Sequence, residues 1–304
     1  MERTFDQLVE DIKTMHAQMR PVFNARPITG KRIAIKRKGK ESVDAIIYQP
    51  EQPTCSVLPV FFNMHGGGFT GGDAVLMDSF CRMLSESLPA VVFNINYKKS
   101  PEYAFPYAIE EVYDAAVYAA ENAEALGIDS NRMAVGGHSA GASHAAAVAL
   151  KAKEEGKITF ACQILVYPCT NLGTTPDELN PDCPPEEVES FHNFIALYCQ
   201  KGESRHRWAS LLLATYEELE GVCPAVFITC ELDSLREEGE AYAKRLIECG
   251  VPVVVKRFKG ALHGFVEVNR PDYFHEDERK SSEQAELCLL AEEFIVAQLK
   301  AMLT

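Results

Sequence analysis

The sequence predicts an α/β fold built on a mostly parallel sheet with helices on both sides. Short apolar runs rich in β-branched residues recur along the chain, and helical stretches separate them. At 304 residues the chain is long enough to bury a large core. With 47% hydrophobic and 24% charged residues, it has the composition of an ordinary globular protein, which excludes wholesale disorder and fibrous repeats.

The elements follow in order. Phe5, Leu8, Val9, Ile12, Met15 and Met19 repeat at helical spacing, and Pro21 is expected to stop that helix. Ile33 to Arg37 and Val43 to Tyr48 alternate like two antiparallel strands. The cluster Lys31, Arg32, Lys36, Arg37, Lys38 and Lys40 reads as a solvated edge that blocks strand addition. Apolar runs at Val57–Phe62, Ala90–Ile95, Met133–Val135, Ile164–Tyr167, Ala225–Ile228 and Val253–Val255 fit central strands covered on both faces. Between them, helices are expected over Asp73–Ser87, Pro106–Leu126, Ser139–Glu155, Ser234–Cys249 and Ser281–Met302. One segment, Thr170 to Glu220, interrupts the alternation with Pro176, Pro181, Pro184 and Pro185, then a helical stretch Glu186–Cys199. Residues 1–304 read as a single domain whose cap is formed by about residues 1–30 and 170–220.

Thirty Lys and Arg against 44 Asp and Glu give a net charge of −14, which repels phosphate backbones and anionic membranes. No apolar stretch approaches the length of a membrane span, so no nucleic-acid partner and no spanning helix are expected. Acidic residues interrupt the start, unlike a secretory signal. The ten cysteines form no CxxC pair and read as reduced thiols of a cytoplasmic protein. His16, His144, His192, His206 and His275 lack metal-ligand spacing, so no metal is expected. The sequence leaves oligomeric state, including a homodimer, open.

The chemistry is concentrated after strands. Gly137-His138-Ser139-Ala140-Gly141 follows an apolar run and opens an alanine-rich helix, the context of a G-x-S-x-G nucleophile elbow. So tight a strand-to-helix turn demands small neighbours two residues on either side of the serine. A serine hydroxyl needs a base held by a carboxylate. In this arrangement the order is serine, acid, histidine. Downstream, one strand runs into Glu231-Leu232-Asp233 and the next into Leu262-His263-Gly264. Asp233 and Glu231 are rival acids, Asp233 being preferred in part on the family resemblance given below; His263 is the base. His65-Gly66-Gly67-Gly68-Phe69 follows another strand, with glycines that let backbone amides approach an oxyanion. The expected donors are the amides of Gly66, Gly67 and Ala140, with His65 organising the loop.

These motifs, with Tyr97-Lys98-Lys99-Ser100-Pro101-Glu102, Gly127-Ile128-Asp129-Ser130-Asn131-Arg132, Asp233-Ser234-Leu235-Arg236-Glu237-Glu238-Gly239 and His263-Gly264-Phe265, resemble the hormone-sensitive-lipase-like esterases of the α/β-hydrolase superfamily. The resemblance runs from about residue 57 to 270. It implies an α/β-hydrolase fold with an eight-stranded core and a helical cap, a Ser139–Asp233–His263 triad, and carboxylic-ester hydrolysis without metal or organic cofactor. The family pattern has Asp at the position of His138, Arg-Leu-Ala at Lys98-Lys99-Ser100, and Pro at Ser234.

The expected function is a serine carboxylesterase acting on small-molecule acyl esters of short to medium chain through an acyl-enzyme. Phe69, His138, Phe194, Tyr198 and Trp208 are the candidate substrate contacts; Phe191 and Leu197 complete the apolar set of the cap. An arylformamidase or sugar acetylesterase could use the same triad. A non-catalytic receptor on this fold, as in plant gibberellin receptors, would lack the histidine that His263 supplies. A dinucleotide-binding fold is disfavoured by the missing G-x-G-x-x-G fingerprint.

Overall fold

The computed structural model describes residues 4–53, 55–175, 178 and 185–303. Pro176, Pro181 and Pro184 of the interrupting segment lie outside the described residues.

The strands are β1 (Lys31–Arg37), β2 (Lys40–Tyr48), β3 (Leu58–Met64), β4 (Val91–Asn96), β5 (Ile128–His138), β6 (Cys162–Val166), β7 (Ala225–Leu232) and β8 (Val253–Leu262). They form one eight-stranded sheet in the order β1-β2-β4-β3-β5-β6-β7-β8. β2 is antiparallel to both neighbours, and the pairs from β4 to β8 are parallel. The central strands β3 and β6 are buried at every residue, as their unbroken apolar sequences require. Parallel register sets Phe62 beside Phe93, whose rings stack 5.2 Å apart.

The helices are α1 (Phe5–Ala25), α2 (Asp78–Ser87), α3 (Tyr107–Glu121), α4 (Ala123–Leu126), α5 (Ala140–Glu155), α6 (Pro185–Tyr198), α7 (Tyr216–Leu219), α8 (Arg236–Glu248), α9 (Phe265–Val268) and α10 (Ser282–Leu303). Two apolar layers flank the sheet. One holds α3, α5 and α8 against residues such as Phe62 and Phe93, the other α2 and α10 against Phe61 and Val226. The alanines of α5 are what allow a helix to lie buried against the sheet: Ala142, Ala145, Ala146 and Ala147 are all fully covered.

Two expectations change. The N-terminal helix passes through Pro21 and ends at Ala25. Proline costs that helix one backbone hydrogen bond but leaves its last turn intact, and Phe23 then packs edge-on against Phe274, 6.0 Å away. The basic cluster on β1 is not uniformly solvated either. The Arg37 side chain is 2% exposed and its Nε donates to Asp114 at 2.7 Å, while Lys40 pairs with Glu110 at 2.9 Å. Lys98 donates to the fully buried Glu111 at 3.0 Å, so a cation satisfies that carboxylate.

The carboxyl ends of β3, β5, β7 and β8 deliver His65, Ser139, Asp233 and His263 to one edge of the sheet. Between β6 and β7 the chain contributes α6, which touches α1 beside that edge. The nine described cysteines are all free, and no helix among the described residues is long and apolar enough to cross a membrane.

Candidate active site

Ser139 caps α5 with φ 53° and ψ −123°, a left-handed conformation that non-glycine residues rarely hold. The strain is enforced by packing. A Cβ on Gly137 would lie 2.6 Å from the Gly141 carbonyl, and one on Gly141 would lie 2.4 Å from the carbonyl oxygens of both Met64 and His65. Both glycines therefore let the turn press against the end of β3, and the serine hydroxyl is lifted clear of the helix.

His263 Nε2 stands 2.9 Å from Ser139 Oγ, and His263 Nδ1 stands 2.8 Å from Asp233 Oδ2. The Asp233 side chain is 2% exposed, and its other oxygen accepts the Leu235 amide at 2.9 Å. That carboxylate is fixed by the turn that follows β7. Glu231, the rival acid, is occupied elsewhere: its Oε2 accepts the Gly260 amide at 2.8 Å. The His263 carbonyl accepts Arg279 Nη1 at 3.1 Å, which anchors the loop from behind.

The glycine loop departs from expectation at Gly66. Its amide donates to Glu267 Oε1 at 2.8 Å and is therefore not free for an oxyanion. Among the described residues, the amides of Gly67, Gly68 and Ala140 have no protein acceptor, and all three residues line the same cavity as Ser139 and His263. The uncommitted amides are thus those of Gly67, Gly68 and Ala140, with Gly68 in place of Gly66. Gly67 needs its φ of 128° to make this turn, and a Cβ there would meet the Gly71 carbonyl at 2.4 Å. His65 is buried, stacks on Tyr97 at 4.3 Å, and accepts the Tyr97 hydroxyl on its carbonyl at 2.8 Å. Burial, with Lys99 nearby, holds its imidazole well below the usual range, so it stays neutral and organises the loop.

The cavity above these groups measures about 1880 Å³. α1 contributes Met15, Met19 and Phe23 to its wall, and α6 contributes Phe191 and Phe194. Phe69 and Phe194 border it; the Phe194 ring lies against Gly68, whose Cβ would meet it at 2.9 Å. Three expected contacts do not reach it. His138 is buried beneath the elbow, 5.0 Å edge-on to Phe80, and its imidazole is pushed down to about 3 by burial and Arg270. Alternation along β5 sends it to the opposite face from Ser139. Tyr198 stands behind Phe69, its ring stacked at 4.2 Å, so it supports the wall without forming it. Trp208 lies under Lys151, whose Nζ is 4.6 Å from the ring, away from the cavity.

Two carboxylates were not singled out by the sequence reading. Glu238, five residues past Asp233, accepts the amides of Thr170 and Asn171 at 2.5 and 3.2 Å, which joins α8 to the segment after β6. Burial pushes its carboxyl up to about 7 against the pull of those amides. Glu267 lies one helical turn after His263. Burial raises its carboxyl, while the Gly66 amide, His263 and Arg279 oppose that shift. The acidic run Glu237-Glu238 and the spacing His263 to Glu267 were the available signals, but neither shows which amide is captured.

An elbow serine, an imidazole and a buried carboxylate in one row define a hydrolase site. The family model described as "alpha/beta hydrolase fold" matches residues 61–267, and the chain belongs to that family. Within it, the chain is a hormone-sensitive-lipase-like esterase, a carboxylic-ester hydrolase. It is 33% identical over 225 residues to esterase LipI of Mycobacterium tuberculosis, covering 72% of this chain and 70% of that one. Bovine arylacetamide deacetylase is 30% identical over 302 residues, covering 78% of this chain and 76% of the relative. Among solved structures, a thermostable esterase from Pseudomonas putida superposes with a TM-score of 0.81 at 29% identity, covering 100% of this chain and 93% of that one. The esterase of Pyrobaculum calidifontis gives 0.78 at 32% identity, covering 99% and 92%.

Proposed function

We propose that the protein hydrolyses short- to medium-chain acyl esters through an acyl-enzyme on Ser139. His263 takes the Ser139 proton as Oγ attacks the ester carbonyl. The amides of Gly67, Gly68 and Ala140 receive the developing oxyanion. His263 then protonates the departing alcohol, and the carbonyl re-forms on Ser139. A water molecule, deprotonated by the same imidazole, attacks that acyl group and releases the acid. Asp233 fixes the imidazole tautomer and stabilises its cationic form. The observation that carries this reading is the unbroken row Ser139–His263–Asp233 at 2.9 and 2.8 Å beside three uncommitted amides.

A cap made by about residues 1–30 and 170–220 is part of the proposal, supported by the way α1 and α6 meet over the cavity. A cytoplasmic location is likewise supported by the free cysteines. Similarity to an arylacetamide deacetylase supports a second reading, hydrolysis of an aryl amide with an amine leaving in place of the alcohol.

Ser139→Ala tests the assignment. Incubation of the native chain with a p-nitrophenyl ester should add the acyl mass to the peptide bearing Ser139, and the variant should lose both that adduct and turnover while melting at nearly the same temperature. Retained turnover in the variant contradicts the proposal. A parallel panel containing an aryl acetamide separates ester from amide preference.

A further inference from the structure

Glu267 ties together the two halves of this site. It stands on α9, and its bond to the Gly66 amide spans 201 residues, joining the loop after β8 to the loop after β3. Gly66 permits the approach, since a Cβ there would lie 2.6 Å from Glu267 Oε2. The same stretch of chain is held behind His263 by Arg279, which Asp277 grips in turn through its Nε at 2.7 Å. The His263 loop is therefore fastened on one side to the core of the 277–279 turn and on the other to the glycine loop.

We infer that Glu267 is a positioning residue for ester hydrolysis: it holds the glycine loop in register with His263, so that base and oxyanion donors keep the separation a tetrahedral intermediate requires. This rests on the serine-esterase reading of the site. A hydrogen bond to a carboxylate is short and strong, which suits it to fixing a loop rather than merely satisfying an amide. By occupying the first glycine amide, Glu267 leaves the next two on the cavity wall for the oxyanion. Those donors act on an oxygen that becomes charged in the transition state, so loss of the clamp lowers kcat and leaves KM nearly alone.

The experiment compares the native chain with Glu267→Gln, Glu267→Asp and Glu267→Leu, using steady-state hydrolysis of p-nitrophenyl butyrate and inhibition by phenylboronic acid, which adds to a serine hydroxyl as a tetrahedral mimic. Gln keeps an acceptor oxygen at the same reach and should stay within a factor of about 3 of native kcat. Leu, which has no acceptor, should lose roughly 10- to 100-fold in kcat with KM little changed, and bind the boronic acid correspondingly more weakly. Should Leu fail to fold, Asp decides: it keeps the charge but not the reach, and should show a smaller loss of the same kind. Native kcat in Leu or Asp, equal losses in Gln and Leu, or a loss confined to KM overturns the inference while leaving the esterase reading in place. A native chain inert toward every ester overturns both.

Discussion

Gly141 faces main-chain oxygens of Met64 and His65 at the end of a central strand, and such atoms cannot swing aside as a side chain would. Gly141→Ala should therefore cost about 1 to 3 kcal/mol of overpacking and displace the glycine loop that begins there. Urea melts and ester turnover measure both; a stable, fully active variant would show that the elbow tolerates a methyl group. Asp233→Asn should keep the fold, because the amide is nearly isosteric with the carboxylate. Its kcat should fall by about 10⁴-fold, since the imidazole would be held in the wrong tautomer. Turnover within tenfold of native would hand the acid's role to another group. The need for tiny neighbours around Ser139 was legible in the sequence because the G-x-S-x-G spacing marks the elbow, although the oxygens that Gly141 meets belong to the end of β3 and the residue after it. That the Gly66 amide is already taken was not, because the carboxylate that accepts it lies 201 residues away. Nor could a residue list say that Tyr198 supports the wall from behind Phe69, since only packing separates a lining ring from the one beneath it.

At the scale of elements, α1 buries only Leu8 fully, so it contributes little to the core although its residues wall the cavity. Removal of residues 1–26 should leave the melting temperature within a few degrees of native, on the order of 1 kcal/mol, and raise KM most for the longest acyl chains. A collapse of the fold would show that α1 is structural. Glu238, joining α8 to the segment after β6, predicts a pH effect on stability. Its folded value, about 7, lies above the 4.5 of an unperturbed carboxyl. Its contribution is therefore complete below about pH 4.5 and is lost as pH rises through about 7. Between about pH 5 and pH 8 the melting temperature of native protein should fall more than that of Glu238→Gln; identical slopes would remove Glu238 as the source. Most elements were readable from periodicity alone. The exceptions have tertiary causes: α1 passes Pro21 where Phe23 finds Phe274, and Arg37 leaves solvent where α3 offers Asp114.

For the molecule as a whole, the cavity volume of about 1880 Å³ exceeds the roughly 300 to 1,000 Å³ that encloses a typical small ligand. A series of p-nitrophenyl esters from acetyl to decanoyl should accordingly show a gradual change in kcat/KM, with no sharp cut-off; an abrupt loss beyond butyryl would mean that the walls close further than their resting positions. The order of strands carries one more consequence. Ser139 leaves β5, Asp233 leaves β7 and His263 leaves β8; β7 and β8 are neighbours, and β5 reaches them only through β6. No fragment shorter than this four-strand block can bring nucleophile and base together. Parallel pairings of such long sequence separation are slow to form, so during renaturation the helical circular-dichroism signal should return before turnover does, and turnover itself serves as a clock for the last strand to dock.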